Sequence, residues 1–343
     1  MKIKGKFLTT GIGSLPYLDA EEAVKKVFEN FDIPFWPQLP KRSFKENMYS
    51  QFSQGLPGLV IDEGKRAIHI DSSKDLSEGL AGIYEAYISK DYNSFGIREE
   101  FAQGFYAFIK AAKKHRPERV KGHITGPVSF CLGVTDERAR SIIYNDGLKE
   151  AFVKLLEMKA LWQIDKLKDI AEQVIIFIDE PYLTSFGSSF VNIQKQDIVS
   201  MLSAVIDSVH SKDAIAGIHC CGNTDWSILT ETKVDIINFD AYSYTDMLLM
   251  YSEDMKKFFE RGGCLAWGIA PTSEDILKET DRSLLKRLSL QIDNLEKKSI
   301  DRDLIISNSL LTPSCGMGTL SEELTLDILL KLASLAKLSK TNL

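Results

Sequence analysis

The stretch Gly217-Ile218-His219-Cys220-Cys221-Gly222-Asn223-Thr224 concentrates side chains that can do chemistry. A short apolar run precedes it and a Gly-Asn turn follows, the pattern of a buried strand ending at a loop. Alternate side chains of a strand share a face, so His219 and Cys221 turn one way and Cys220 the other. An imidazole and a thiolate side by side form half of a zinc site. A third soft ligand stands at Cys315, within Pro313-Ser314-Cys315-Gly316-Met317-Gly318. Zinc held by these three favours the deprotonated form of a thiol bound to it. The expected chemistry is therefore thiol activation: a substrate sulfur held as a thiolate that attacks an electrophilic methyl group. Asp240, at the end of the next apolar run, is the expected fourth ligand. Cys131, Cys220 and Cys264 are expected to pack as small hydrophobes.

Two other segments carry polar groups at strand ends. Asp179-Glu180-Pro181 places two carboxylates together, one of which should face inward, where it can bind an ammonium group or move a proton. Both are candidate catalytic residues. The alternative for such a carboxylate is a helix cap. Thr10-Gly11-Ile12-Gly13-Ser14-Leu15-Pro16 is a glycine-rich strand exit whose backbone groups can hold an anion.

Positioning these groups requires a regular scaffold. Strand candidates run from Phe7 to Gly13, Ile33 to Leu39, Val120 to Thr125, Val174 to Asp179, Ala214 to His219, Val234 to Asp240, Gly263 to Gly268 and Leu304 to Ser309. Helical patterns separate most of them, among them Thr245 to Arg261 and Ser273 to Lys298. This alternation predicts a single α/β domain over residues 1–343, a (β/α)8 TIM barrel. Ser14, Thr125, Asp179, His219, Asp240 and Cys315 all fall at C-terminal strand ends, where barrel enzymes place their sites. The gap between the second and third strands is too long for an ordinary connection. It predicts an insertion near residues 45–95 containing a β-hairpin that turns at Glu63-Gly64.

Bulk properties narrow the class. The 343 residues carry 44% hydrophobic and 26% charged side chains and a formal charge of −6. That composition, without a basic cluster, excludes nucleic acid as the main partner. No apolar run reaches the roughly 18 residues of a membrane span. The basic start, Met1 to Lys6, lacks the apolar core of a signal peptide. Five cysteines in a chain of this length fit metal or catalytic use better than a disulfide framework. The expected location is cytoplasmic.

From Ile12-Gly13-Ser14 to Cys315 the chain resembles the C-terminal catalytic half of cobalamin-independent methionine synthase, in the uroporphyrinogen decarboxylase-like superfamily. Without the N-terminal half of the long enzyme, it is similar to the core form. The resemblance implies zinc on His219, Cys221, Cys315 and, in place of the family's glutamate, Asp240. It implies homocysteine as the methyl acceptor, held by Ile12, Gly13 and Ser14, with Asp179 on its ammonium group. Thr125-Gly126-Pro127 matches a further family motif.

Three departures bear on this expectation. Asp240 is shorter than glutamate. Gln51, in Met48-Tyr49-Ser50-Gln51-Phe52, stands where the long enzyme has a second acid for the amino group. Trp267-Gly268-Ile269-Ala270-Pro271 lacks the histidine that protonates the folate leaving group. Cob(I)alamin leaves without such help, so the expected donor is methylcobalamin or a methylated corrinoid protein. Methyl-tetrahydrofolate remains an alternative donor. His219-x-Cys221-Gly222-Asn223-Thr224 is also similar to the zinc motif of methylcobalamin:coenzyme M methyltransferases. A metal-free decarboxylase and a non-catalytic corrinoid-docking module are the remaining alternatives.

Overall fold

The fold is that of a computed structural model, which describes residues 3–188 and 191–343. Ten strands are present among them: β1 (Leu8–Thr9), β2 (Leu59–Asp62), β3 (Ala67–Ile70), β4 (Arg119–Thr125), β5 (Thr135–Asp136), β6 (Gln173–Asp179), β7 (Ile215–Cys220), β8 (Ile236–Phe239), β9 (Cys264–Ala270) and β10 (Ser309–Pro313). Seven of these build a curled sheet in the order β1-β10-β9-β8-β7-β6-β4. Every pairing in that sheet is parallel. Helices bridge the successive parallel strands, as the parallel direction demands.

Strand alternation separates two apolar layers. On β6, Ile176 and Ile178 join the large cluster between sheet and helices, whereas Ile175 and Phe177 join an inner cluster with Ile33, Ile215, Ile236, Cys264, Ala266 and Leu310. Each fully buried side chain of this size contributes about 1.5–3 kcal/mol. The inner layer depends on Gly217, because a Cβ there would lie 2.5 Å from the Phe177 ring. The ring thus fills the interior directly beneath His219.

The second predicted strand is not a regular one. Residues 33–38 make only isolated bridges, Phe35 with Lys121 and Ser14 with Gln38. Pro34 and Pro37 have no N–H to donate and interrupt a ladder. The segment nevertheless bonds in both directions. Ile33 N donates to Thr9 O (2.9 Å) and Gln38 N to Gly13 O (3.0 Å), while Lys121 N donates to Pro34 O (2.9 Å).

Three other expectations change. Residues 302–307 form a helix rather than the predicted last strand, with Asp301 as its N-cap accepting from Leu304 N. The strand is β10, a few residues later. A short apolar run such as Leu304-Ile305-Ile306 has no period that separates helix from strand. The predicted helix from Thr245 to Arg261 is instead Ala241–Leu248, a 3-10 turn and Ser252–Glu260. Ser273 to Lys298 is likewise a 3-10 turn followed by Asp281–Glu296, which starts with a capping box at Thr280. The predicted hairpin is present, with β2 and β3 antiparallel and Val60 opposite His69. β5 pairs with β3 and ties the hairpin to the chain beyond β4. Lys159, on the helix Asp146–Lys168, anchors the insertion by donating to Phe95 O at 3.0 Å.

Candidate metal centre

The ends of β7 and β10 converge. One donor atom from each of His219, Cys221 and Cys315 lies within 4.8 Å of the other two. β7 runs through Cys220, which turns its thiol toward the helices, so His219 and Cys221 face the interior together. Cys315 arrives by a close crossing. A Cβ on Gly268 would lie 2.9 Å from Ser314 Cα, so only glycine on β9 lets the exit of β10 pass there. Ser314 N then donates to Ala270 O (2.8 Å), fixing the turn that aims Cys315.

Asn238 sets the state of the imidazole. Its Nδ2 donates to Ala266 O (2.9 Å) and Thr312 Oγ1 (2.8 Å), so its Oδ1 must face His219 Nδ1, at 2.5 Å. An amide oxygen can only accept, which places the proton on Nδ1. In the neutral ring this leaves a lone pair on Nε2, a buried atom with no hydrogen-bond partner. Asn238 was not among the residues expected from the sequence. Its signal was a polar side chain inside the apolar run Ile236-Ile237-Asn238-Phe239, two residues before Asp240.

The two thiols are pushed in opposite directions. Cys221 is pulled down to about 4, first by a hydrogen bond from Cys315 and then by His219, against the opposing effect of burial. Cys315 is raised, first by that same hydrogen bond to Cys221 and then by burial. Burial acts to lower His219, but the neighbouring Cys221 and Asp179 outweigh it and raise the ring above its ordinary value. Cys221 and His219 stabilise each other's charged forms, and with Cys315 they provide two sulfurs and an imidazole, the donor set of a soft divalent cation.

Asp240 is not in this cluster. Its carboxylate caps the helix Ala241–Leu248, accepting from Ser243 N at 3.0 Å. An aspartate at the N-cap reaches forward onto the first turn of the helix it caps, and this competes with reaching across to the thiols.

The adjacent carboxylates of β6 divide cleanly. Asp179 lies between Thr125 and His219 in the strand register. Its Oδ1 is buried without a partner. Burial raises it to about 6, against the opposing pull of His219 and Lys121. Glu180 faces the other way and is saturated. It accepts from Val128 N (2.9 Å), Ser129 N (2.7 Å) and Ser129 Oγ (2.6 Å). A Cβ on Gly126 would lie 2.1 Å from the Glu180 carboxyl carbon, so the glycine of Thr125-Gly126-Pro127 makes room for that clamp. Glu180 thus caps the helix Pro127–Gly133, and burial raises it to about 7 against the lowering effect of those hydrogen bonds.

The glycine-rich exit of β1 joins the Cys315 loop. Met317 N donates to Ser14 O (2.9 Å) and Gly318 N to Ser14 Oγ (3.2 Å). Lys121 Nζ, fully buried, donates to Ile12 O at 2.7 Å. Gly13 packs on the His123 ring. Gln51 does not present a free amide to this exit. It accepts from Gln38 Nε2 (2.8 Å) and donates to Phe101 O (2.6 Å), so its side chain serves the insertion. Ser14, Asp179, Cys221 and Cys315 all remain partly exposed.

No family model and no curated protein matches the sequence. The fold is similar to that of a candidate vitamin-B12 independent methionine synthase from Listeria monocytogenes. The TM-score is 0.54 at 14% identity, over 97% of this chain and 98% of that one. A likeness at that identity is one of fold. Among the described residues, no helix is long and apolar enough to cross a membrane.

Proposed function

We propose that the protein is a zinc-dependent thiol methyltransferase that forms methionine from homocysteine, with methylcobalamin or a methylated corrinoid protein as donor. The observation that carries this is the convergence of His219, Cys221 and Cys315, with the His219 Nε2 lone pair left free by Asn238. Three protein ligands with one position open is the arrangement of a catalytic rather than a structural zinc. Asp240, turned to its helix, leaves that fourth position to the substrate. Bound there, zinc supplies the acidity that holds the substrate sulfur as a thiolate near neutral pH.

The chain's own residues do the rest. Asp179, with an unpartnered oxygen beside the cluster, receives the substrate ammonium group. The Ile12-Gly13-Ser14 exit, tied to the Cys315 loop, cradles the carboxylate. The methyl group forms its new bond to sulfur as its bond to cobalt breaks, the electron pair staying on cobalt. The thiol proton goes to solvent. The exit of β9, Ala270-Pro271-Thr272, offers no acid near neutral pH, and a cobalt leaving group requires none.

A coenzyme M thiol carries no ammonium group and would leave Asp179 without a role. The proposed architecture is a single (β/α)8 unit in which residues 33–38 supply the eighth stave, with the insertion near residues 45–95 beside the mouth. Free thiols in the site suit a reducing, cytoplasmic setting. The test is methionine formation by the zinc-loaded protein, offered methylcobalamin and methyl-tetrahydrofolate in parallel. Product from methylcobalamin alone is expected. Equal rates from folate would overturn the donor assignment, and no product from either would overturn the function.

A further inference from the structure

The exit of β1 lies on a floor of three side chains. A Cβ on Gly11 would lie 2.3 Å from the Phe35 ring, and one on Gly13 would lie 3.0–3.2 Å from three atoms of the His123 ring, so this backbone runs directly over both rings. Between them is Lys121, which is fully buried. Its Nζ lies 5.3 Å from the centre of the Phe35 ring and 4.5 Å from that of Phe177, and it donates to Ile12 O at 2.7 Å. Two ring faces and one carbonyl favour the ammonium form. Burial lowers it to about 7, against the opposing pull of the Asp179 charge, and among the described residues no carboxylate forms an ion pair with it. The lysine is thus a cation committed to the backbone of the exit.

That bond fixes a peptide plane. The Ile12–Gly13 bond is trans, so the Gly13 N–H is antiparallel to the Ile12 C=O and turns away from the lysine. Three successive carbonyls of the exit are occupied: Ile12 O by Lys121, Gly13 O by Gln38 N (3.0 Å) and Ser14 O by Met317 N (2.9 Å). The Gly13 and Ser14 N–H groups, in contrast, have no acceptor among the described residues. Ser14 is partly exposed, so the exit is open at that end. A run of backbone with its acceptors engaged and its donors free suits an anion. A buried ammonium behind the same peptide adds a positive potential, which favours a negatively charged group over a neutral one.

We propose that Lys121 is a positioning residue: by holding the Ile12 carbonyl it presents the Gly13 and Ser14 N–H groups to the carboxylate of the thiol substrate, and makes that subsite selective for an anion. This rests on the thiol-methylation function above. The lysine itself stays beneath the backbone and does not touch the substrate. The alternative is a lysine that merely ties β4 to β1, whose loss would weaken every thiol alike or none.

The test uses the full zinc-loaded chain. Three thiols are titrated calorimetrically into wild type and Lys121→Met, with zinc content measured alongside: homocysteine, 4-mercaptobutanoate, which lacks the ammonium group, and 3-aminopropanethiol, which lacks the carboxylate. Lys121→Met keeps the length of the side chain and removes its charge. It is expected to weaken homocysteine and 4-mercaptobutanoate by about tenfold each, the loss of one hydrogen bond to a charged group. It should leave 3-aminopropanethiol and zinc unchanged. Unchanged affinity for all three thiols would overturn the proposal, as would an equal loss of all three. Should Lys121→Met fail to fold, the backbone amide resonance of Gly13 in the wild type decides. It should shift with homocysteine and 4-mercaptobutanoate and not with 3-aminopropanethiol, and no difference would overturn the proposal. A zinc-loaded wild type that binds none of the three would overturn the parent function, and this failure is distinguished by appearing before any variant is compared.

Discussion

The end of β6 carries two neighbouring carboxylates in opposite environments. Glu180, on the helix side, is buried and holds three donors of the helix Pro127–Gly133. Asp179, on the inner side, is partly exposed but has one buried, unpartnered oxygen, beside a histidine whose Nε2 is also unpartnered. The same contrast recurs one strand away, where Cys220 packs among helix-side hydrophobes and Cys221 faces His219 and Cys315. Saturated polar groups hold the scaffold. At the inner strand ends, Asp179 Oδ1 and His219 Nε2 are instead buried without partners, a costly state that a bound ligand would relieve.

The contrast breaks most visibly at the thiols. Cys221→Ser or Cys315→Ser should abolish stoichiometric zinc under mild chelation while the unfolding transition of the metal-free protein stays in place. Asn238→Leu, which removes the partner of His219 Nδ1, should weaken zinc by about 10–100-fold. Retention of zinc by Cys221→Ser in a chelator competition would remove the inner-face assignment altogether.

Glu180→Ala should show the reverse pattern. Deleting the clamp leaves Val128 and Ser129 N–H groups without their acceptor, and an expected loss of about 3 kcal/mol follows. Denaturant unfolding measures it, and zinc stoichiometry should survive in the folded fraction. A Glu180→Ala protein of unchanged stability but no activity would make Glu180 an acid after all.

Asp179→Asn sharpens the division. Removing a half-buried charge that lacks a full set of partners should leave metal-free stability unchanged or slightly raised. Affinity for homocysteine should fall by about tenfold, with little change for 4-mercaptobutanoate, the same thiol without its ammonium group. Direct thiol titration distinguishes these outcomes.

The smallest effect is expected at Asp240. Asparagine caps a helix about as well as aspartate, so Asp240→Asn should change neither stability nor zinc content, whereas Asp240→Ala should cost about 1 kcal/mol. Loss of zinc in Asp240→Asn, measured by metal analysis, would restore it as a fourth ligand.

Much of this contrast was legible in the chain. The period of two around His219-Cys220-Cys221 separates the two cysteines, and the Gly-rich run around Cys315 marks a strand exit. The apolar runs of β4, β6, β7, β8 and β9 identify buried parallel strands. What was not legible depends on partners distant in sequence. Whether Asp240 reaches a metal or caps its own helix turns on a side-chain rotamer. The clamp formed by Glu180 is explained only once Gly126, 54 positions earlier by its number, is seen to lie beneath the carboxylate. Leu304-Ile305-Ile306 reads equally as strand or helix, and the cap at Asp301 decides it. The irregular path of residues 33–38 follows from Pro34 and Pro37, which the apolar pattern hides.

X-ray absorption of the zinc-loaded protein, before and after homocysteine is added, tests the inner-face site most directly. Two sulfur ligands at about 2.3 Å and one imidazole nitrogen are expected from the protein, with a third sulfur appearing on addition of the thiol. A sulfur count that does not rise with homocysteine, or a zinc that is already four-coordinate with protein ligands alone, would contradict an open site built for thiol activation.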